Sequence, residues 1–267
     1  MLIDVHCHLD RYKRNLAHAL AQIEEHRIFT ISNSMDLPSY EQNVKIATTS
    51  DLILPVFGIH PWNASEYVGC LDDLDRAISE SRMIGEIGLD YYFVRETSKY
   101  EDQRRVFEHL LRAASRQRKI VIVHTKGAES ETLQLLEKHN TEHVVIHWYS
   151  GPWHVLRAMV EHGFYFTIGV EVLLSQHIQE IARYLPTELI LTETDNPGGN
   201  ESLTGSVGTP LLVKDVIGKL AEVRGTSDQV IMTTVQNNLI RLGGNDRWLA
   251  RVQASTRWGT TLLDKSL

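Results

Sequence analysis

Leu2-Ile-Asp-Val-His6-Cys-His8-Leu-Asp10 is an aliphatic run that ends in two histidines one residue apart. Successive side chains of a strand point to opposite faces, so residues two apart share a side. His6 and His8 therefore look the same way at the end of a first strand, while Cys7 looks the other way. Apolar runs recur at Leu2–His6, Ile28–Asn33, Leu52–His60, Met83–Asp90, Ile120–His124, Val144–Trp148, Tyr165–Val170 and Leu189–Asp195. Most lack polar alternation, as expected of parallel strands covered on both faces. Longer segments with helical spacing separate them, among them Leu16-Ala19-Leu20-Ile23, Leu71-Leu74-Ala77-Ile78 and Phe107-Leu110-Leu111-Ala114. Pro38, Pro152 and Pro210 stand near expected helix starts, where a missing N–H does no harm, and Gly163 is a stop signal. Eight strand–helix alternations predict an α/β fold, a TIM-type (β/α)₈ barrel in a single domain, over an open doubly wound sheet. The barrel is expected over residues 1–243. A C-terminal tail, 244–267, carries Trp248 and Trp258 and is expected to pack on the barrel exterior, with partner docking as the alternative.

Bulk properties narrow the classes. The chain has 267 residues, 42% of them apolar and 23% charged, enough for a sizeable core. Its formal net charge of −7 argues against a general basic wrapper of nucleic acid, though an enzyme that handles phosphates through bound metal remains compatible. Two cysteines, Cys7 and Cys70, imply no disulfide framework and fit a reducing compartment. The first apolar run is interrupted by charge and ends in histidines, which leaves no room for a secretory signal. No apolar stretch is long enough to span a membrane. A cytoplasmic protein, acting as a monomer and away from membranes, is expected.

The chemistry gathers at the ends of the apolar runs. Glu86, in Gly85-Glu-Ile-Gly-Leu-Asp90, sits inside an otherwise apolar fourth strand. A buried carboxylate needs partners, and bound cations are the strongest available. A salt bridge to a core arginine is the bland alternative, and nothing nearby in sequence favours it. Asp90 is ambiguous, since it can cap the following loop. His124 ends Val-Ile-Val-His-Thr-Lys and His147 ends Val-Val-Ile-His-Trp, each after three aliphatic residues. One such histidine is more often a core residue bonded to backbone; two in successive strands, after the first pair, point to metal ligation. Asp195 ends the eighth run, with Glu193 two residues earlier and so on the same side. His6, His8, Glu86, His124, His147 and Asp195 exceed what one four-coordinate ion requires. Two divalent ions about 3.5–4 Å apart would use them all, and Glu86, with two oxygens, is the natural bridge.

These residues, in this order, resemble the TatD family of metal-dependent hydrolases in the amidohydrolase superfamily. The resemblance spans roughly residues 1–243. It rests on Asp4-Val-His-Cys-His-Leu-Asp10, Gly58-Ile-His-Pro61, Gly85-Glu-Ile-Gly-Leu-Asp90, His124-Thr-Lys126 and Glu193-Thr-Asp195. Thr233-Thr-Val-Gln-Asn-Asn238, followed by Arg241-Leu242, resembles the family's closing helix. TatD-like proteins are typically divalent-metal-dependent deoxyribonucleases, often 3′→5′ exonucleases on single-stranded DNA, and the resemblance implies the same here. It implies that His6, His8, Glu86 and Asp195 hold one ion and that Glu86, His124 and His147 hold the other. Mg²⁺, Mn²⁺ and Zn²⁺ are the candidates. Asp195 would orient or deprotonate the attacking water, which makes Asp195 and Glu86 the catalytic pair. His60 would line the substrate pocket and contact phosphate, and Lys126 and Arg95 would offset phosphate charge. For Arg95, ordinary solvated charge is an equal reading.

The chain departs from the family pattern in two places. Trp148-Tyr149 stands where the family usually has Cys-Phe, so Trp148 either stacks a base or fills the barrel rim. Asn196-Pro-Gly-Gly199 replaces Ser/Ala-Pro-Tyr-Leu, and Ser206-Val-Gly-Thr-Pro210 replaces the Arg-Asn-Glu-Pro segment in a shortened loop. Members with such departures resemble the TatD-type component of multi-gene anti-phage cassettes, the Qat system, which would supply protein partners. Two rival functions stand beside the nuclease. One is an amidase, lactonase or deacylase of the same superfamily; many of those bridge their metals with a carboxylated lysine, and here Glu86 takes that slot. The other is a nucleic-acid-binding subunit that has lost catalysis, against which the full ligand set argues.

Overall fold

A computed structural model describes residues 1–244. Eight parallel strands alternate with helices: β1 (Leu2–Cys7), β2 (Ile28–Asn33), β3 (Ile53–Val56), β4 (Ile84–Asp90), β5 (Val121–Lys126), β6 (Val144–Ile146), β7 (Tyr165–Ile168) and β8 (Ile190–Thr192). The helices are α1 (Leu16–His26), α2 (Leu37–Ala47), α3 (Ala64–Tyr67), α4 (Asp75–Glu80), α5 (Tyr100–Gln117), α6 (Glu129–Lys138), α7 (Trp153–Glu161), α8 (Gln176–Tyr184), α9 (Gly198–Thr204), α10 (Leu212–Arg224) and α11 (Asp228–Gly243). The strands are buried along their length, which is why their sequences read as unbroken apolar runs.

Local signals set the helix ends. Asp36 caps α2 by accepting from the Ser39 N–H, while Ser39 Oγ accepts from the Asp36 N–H. Pro38 falls in the first turn of that helix, and Pro152 stands at the N-cap of α7. The helix α5 turns Val106, Phe107, Leu110, Leu111, Ala113 and Ala114 onto the barrel, and its chain reverses at Arg118 in the left-handed region. The expected helix through Leu71 to Ile78 is divided: a 3₁₀ turn, Leu71–Leu74, leads into α4.

Lateral pairing runs β1-β2-β3 and β4-β5-β6-β7-β8. Two seams close the ring. At the first, Phe57 bridges Ile84 in parallel and the Gly85 N–H donates to the Phe57 carbonyl at 2.7 Å. At the second, Thr192 Oγ1 donates to the Ile3 carbonyl at 2.6 Å and the Asp195 N–H to the His6 carbonyl at 2.7 Å. The result is the expected TIM-type barrel, whose buried core includes Ile3, Phe29, Ile87, Val123, Phe166 and Leu191.

Strand ends differ from the apolar runs. The strands β3, β6 and β8 end at Val56, Ile146 and Thr192, so His60, His147 and Asp195 lie just beyond them, whereas β5 continues past His124 to Lys126. Hydrophobicity marks what the barrel buries; strand assignment marks where neighbours still bond. Apart from Gly244, the expected tail over 244–267 lies outside the described residues.

Candidate metal centre

The C-terminal ends of six strands bring His6, His8, His60, Glu86, His124, His147 and Asp195 to one buried spot at the barrel mouth. Glu86 lies at its middle. Its Oε2 is 3.3 Å from His6 Nε2 and 3.4 Å from His8 Nε2. Its Oε1 is 2.8 Å from His124 Nδ1, 3.3 Å from His147 Nε2 and 3.4 Å from His60 Nε2. Asp195 Oδ1 closes the first side, 3.4 Å from His6 Nε2 and 3.2 Å from His8 Nε2. Close backbone packing makes this possible. A Cβ on Gly88, at φ +147°, would lie 1.9 Å from the His124 carbonyl oxygen, and one on Gly58 would lie 2.4 Å from the Glu86 carbonyl oxygen.

The far nitrogen of each imidazole decides what the near one offers. His8 Nδ1 faces the Asn33 carbonyl at 3.1 Å, His147 Nδ1 faces Glu193 Oε2 at 2.9 Å, and His124 Nε2 faces Asp90 Oδ2 at 3.1 Å. In the neutral ring each of these acceptors can take the N–H, which leaves the nitrogen facing Glu86 free to ligate a cation, the arrangement that metal-ligating histidines have. His6 Nδ1 has no hydrogen-bond partner; stacking on His147 at 3.9 Å between centroids fixes its ring instead. His60 is the reverse case. Its Nδ1 accepts from the Trp62 N–H at 3.3 Å, so in the neutral ring Nε2 carries the hydrogen and donates toward Glu86.

Burial opposes charge at every one of these groups, yet the carboxylates stay ionised. Burial alone would raise the Glu86 carboxyl, but His60, His6 and His147 outweigh it and hold it well below the usual range. Asp195 falls to about 2 in the same way, against burial, through the bond from His8. In return, Asp195 and Glu86 raise His8 to about 10 despite its burial. Burial dominates at His60, which drops to about 4 and is neutral. Every ion pair that Glu86 or Asp195 makes among the described residues is with an imidazole. Two carboxylates, imidazole nitrogens facing them and, among the described residues, no arginine or lysine paired with either carboxylate fit divalent cations. Three overlapping donor groups are close enough to share an ion: His6, His8 and Asp195; His6, Glu86 and His147; and His60, Glu86 and His124. His60 lies beside Glu86 and His124, and His147 stands between the two sides.

Lys126 and Trp148 lie on the rim. Lys126 Nζ donates to the Trp148 carbonyl at 3.2 Å and to Ser150 Oγ at 2.7 Å, and stands 5.6 Å from the Trp148 ring centroid. Burial lowers its ammonium below the ordinary lysine value. The Trp148 indole N–H donates to Glu171, and the ring lies over Gly199, where a Cβ would meet it at 3.2 Å. Arg95 is exposed on the loop after β4. The sequence reading missed several supports. Asp90 both caps its loop, accepting from the N–H groups of Tyr92 and Phe93, and holds His124. Glu193 serves His147 instead of facing the centre, and Asp4 accepts from Thr194 N and Oγ1 at 2.9 and 2.6 Å across the second seam. The carboxyl spacing Glu193-Thr-Asp195 was the one available signal, but Asp195 sits at φ +52°, which breaks strand alternation.

Residues 3–244 match the family described as TatD related DNase. The chain is 28% identical over 254 residues to the uncharacterized metal-dependent hydrolase YcfH of Escherichia coli, covering 90% of this chain and 95% of that protein. It is also 28% identical over 257 residues to human deoxyribonuclease TATDN3, covering 89% and 93%. Among solved structures, the TatD homologue YjjV of Escherichia coli superposes with a TM-score of 0.82 at 22% identity, over 90% of this chain and 97% of that one. A phosphotriesterase homology protein from the same organism shares the barrel at a TM-score of 0.62 and 15% identity, over 86% and 95%. With the fold, the buried carboxylate–imidazole cluster and a match that spans the described barrel in agreement, this chain belongs to the TatD-related DNase family and is a metal-dependent hydrolase.

Proposed function

We propose that this chain is a two-metal phosphodiesterase that acts on DNA and removes nucleotides from the 3′ ends of single strands. The observation that supports this most is the division of Glu86, with Oε2 toward His6 and His8 and Oε1 toward His60, His124 and His147. A carboxylate so divided suits a bridge between two ions about 3.5–4 Å apart. We assign His6, His8, Glu86 and Asp195 to one ion and Glu86, His124 and His147 to the other, with Mg²⁺, Mn²⁺ and Zn²⁺ as candidates. When bound, such ions supply Lewis acidity, acidifying water and withdrawing charge from phosphate oxygens.

The chain's own residues do the rest. Asp195, ionised and adjacent to His6 and His8, orients the attacking water and accepts its proton. The water oxygen bonds to phosphorus as the phosphoester P–O bond breaks, and the leaving oxygen takes a proton from solvent. His60 Nε2–H donates to a phosphate oxygen, the role that its bonded Nδ1 leaves open. Lys126 adds positive charge at the rim, and Trp148 forms a wall of the pocket. The departures at Trp148-Tyr149 and Asn196–Gly199 support the further reading that the enzyme serves in an anti-phage cassette, with the cassette's proteins as partners.

The test is cleavage of end-labelled single- and double-stranded DNA and RNA across Mg²⁺, Mn²⁺ and Zn²⁺, with metal analysis of Glu86→Ala. We expect single-stranded DNA to shorten from its 3′ end. We expect Glu86→Ala to lose more than about a hundredfold in activity and to lose ions at both sites. Two fully occupied ions in that variant would refute the bridge. Turnover of an amide or lactone without cleavage of any nucleic acid would replace the nuclease reading.

A further inference from the structure

Three large aromatic side chains stand exposed beside the metal centre: Trp62 at 46%, Phe93 at 59% and Tyr92 at 60% of their full surface. Trp62 comes from the 3₁₀ turn Pro61–Asn63 after β3, and the other two from the turn after β4. Their rings meet edge to face, 5.9 Å apart between Trp62 and Phe93 and 4.9 Å between Tyr92 and Phe93. Trp62 continues inward to His60 at 4.7 Å, and His60 to His124 at 4.6 Å. The ridge therefore runs unbroken from the surface to the ligands. The barrel needs none of this exposed surface for its core, and contiguous apolar surface of this kind marks a binding site.

One carboxylate ties the ridge to the centre. Asp90 Oδ2 accepts the Trp62 indole N–H at 2.7 Å and faces His124 Nε2 at 3.1 Å. Asp90 Oδ1 accepts the N–H groups of Tyr92 at 3.0 Å and Phe93 at 2.7 Å. The same side chain thus sets the height of all three rings and the orientation of an imidazole that faces Glu86. A protein partner docking nearby would not require that registration; a substrate that reaches both places does. Nucleobases present flat π-faces at a fixed spacing from the phosphates they flank, and aromatic side chains bind them with little regard to sequence. Arg95, exposed on the same loop, supplies a cation for the backbone of such a strand. In a duplex the base faces are buried in the stack, so only unpaired bases can use the ridge.

We infer that Trp62, Phe93 and Tyr92 form a stacking platform for unpaired bases beside the scissile phosphate, so that the enzyme selects single strands by their exposed base faces. The inference rests on the nuclease reading above and names the feature of the substrate recognised there. The test uses short DNA strands of one sequence, with either normal or abasic nucleotides next to the 3′-terminal linkage. Cleavage is followed with Mn²⁺, and binding is followed separately by fluorescence anisotropy with the metal chelated. The wild-type protein is expected to prefer the base-bearing strand by about tenfold or more. Phe93→Ala and Tyr92→Ala should each erase most of that preference, chiefly in KM, and Phe93→Trp should keep it. If both alanine variants, folded by their melting curves, discriminate as the wild type does, the platform is refuted and the nuclease reading stands. If the wild type binds base-bearing strands in preference but cuts none, the nuclease reading falls and the platform is supported. If it neither binds nor cuts single strands, both fall.

Discussion

Glu193 is buried with both oxygens engaged, Oε2 at 2.9 Å from His147 Nδ1 and Oε1 accepting the Trp148 N–H at 3.0 Å. Its charge holds the N–H of His147 outward and leaves Nε2 as the lone pair that faces Glu86. Glu193→Gln keeps the size and one acceptor but removes that charge, and an amide N–H can end up facing the ring. We expect metal affinity to fall about tenfold to a hundredfold, the usual loss when the outer partner of a ligating histidine is changed. Titration with Mn²⁺ or Zn²⁺, monitored by calorimetry, measures it. An unchanged affinity would mean that His147 is oriented by its stack on His6 and takes nothing from Glu193. Residues of this kind are hard to read in sequence. The candidate ligands were legible because most follow an aliphatic run; Glu193 follows the same run as Asp195, and the turned backbone at Asp195 separates their contacts.

At the scale of elements, Asn238 is one of the side chains that tie α11 to the barrel. Asn238 Nδ2 donates to the carbonyls of Thr187 and Ile190, both at 2.8 Å, where β8 begins. Asn238 is buried, so Asn238→Ala leaves the buried Ile190 carbonyl, and the part-buried Thr187 carbonyl, without this donor. The expected cost is about 2–4 kcal/mol of folding stability, measured by urea unfolding. A loss below about 0.5 kcal/mol would show that water or a neighbour takes over those carbonyls. The order of the elements was legible throughout, because both faces of each strand are covered and no alternation dilutes the signal. Their ends were not. Pro55 and Phe57 read as one apolar run with their neighbours, yet β3 ends at Val56, and past it only a single bridge from Phe57 to Ile84 remains before the chain turns toward His60. Nor did any local pattern bring Trp62 to Phe93. They are thirty-one positions apart, and only the adjacency of the third and fourth strands across the first seam joins them.

Taken whole, the molecule concentrates buried charge in one place. Two ionised carboxylates and a set of imidazoles share the mouth of the barrel, and removing bound cations would leave the carboxylates to the imidazoles alone. An ion that binds only the folded form stabilises it by about 2.7 kcal/mol at a hundred times its dissociation constant. For a chain of this size that is about 5–10 °C in Tm. We therefore expect metal-loaded protein to melt at a temperature lower by about that amount after chelation, and adding Mn²⁺ back should restore it. Protein stripped of metal, verified by elemental analysis, with an unmoved Tm would place the ions outside the buried cluster.

The second seam has a consequence in time. His6 follows the start of β1 and Asp195 comes only after the eighth strand, yet the two are joined by a 2.7 Å backbone bond and the His6 imidazole faces the Asp195 carboxylate. A growing chain can hold His6, His8 and Glu86 and still lack the group that closes their side of the cluster. The hydrolase is therefore latched by its own completion. Chains cut ahead of β8 would carry His6, His8 and Glu86 without Asp195.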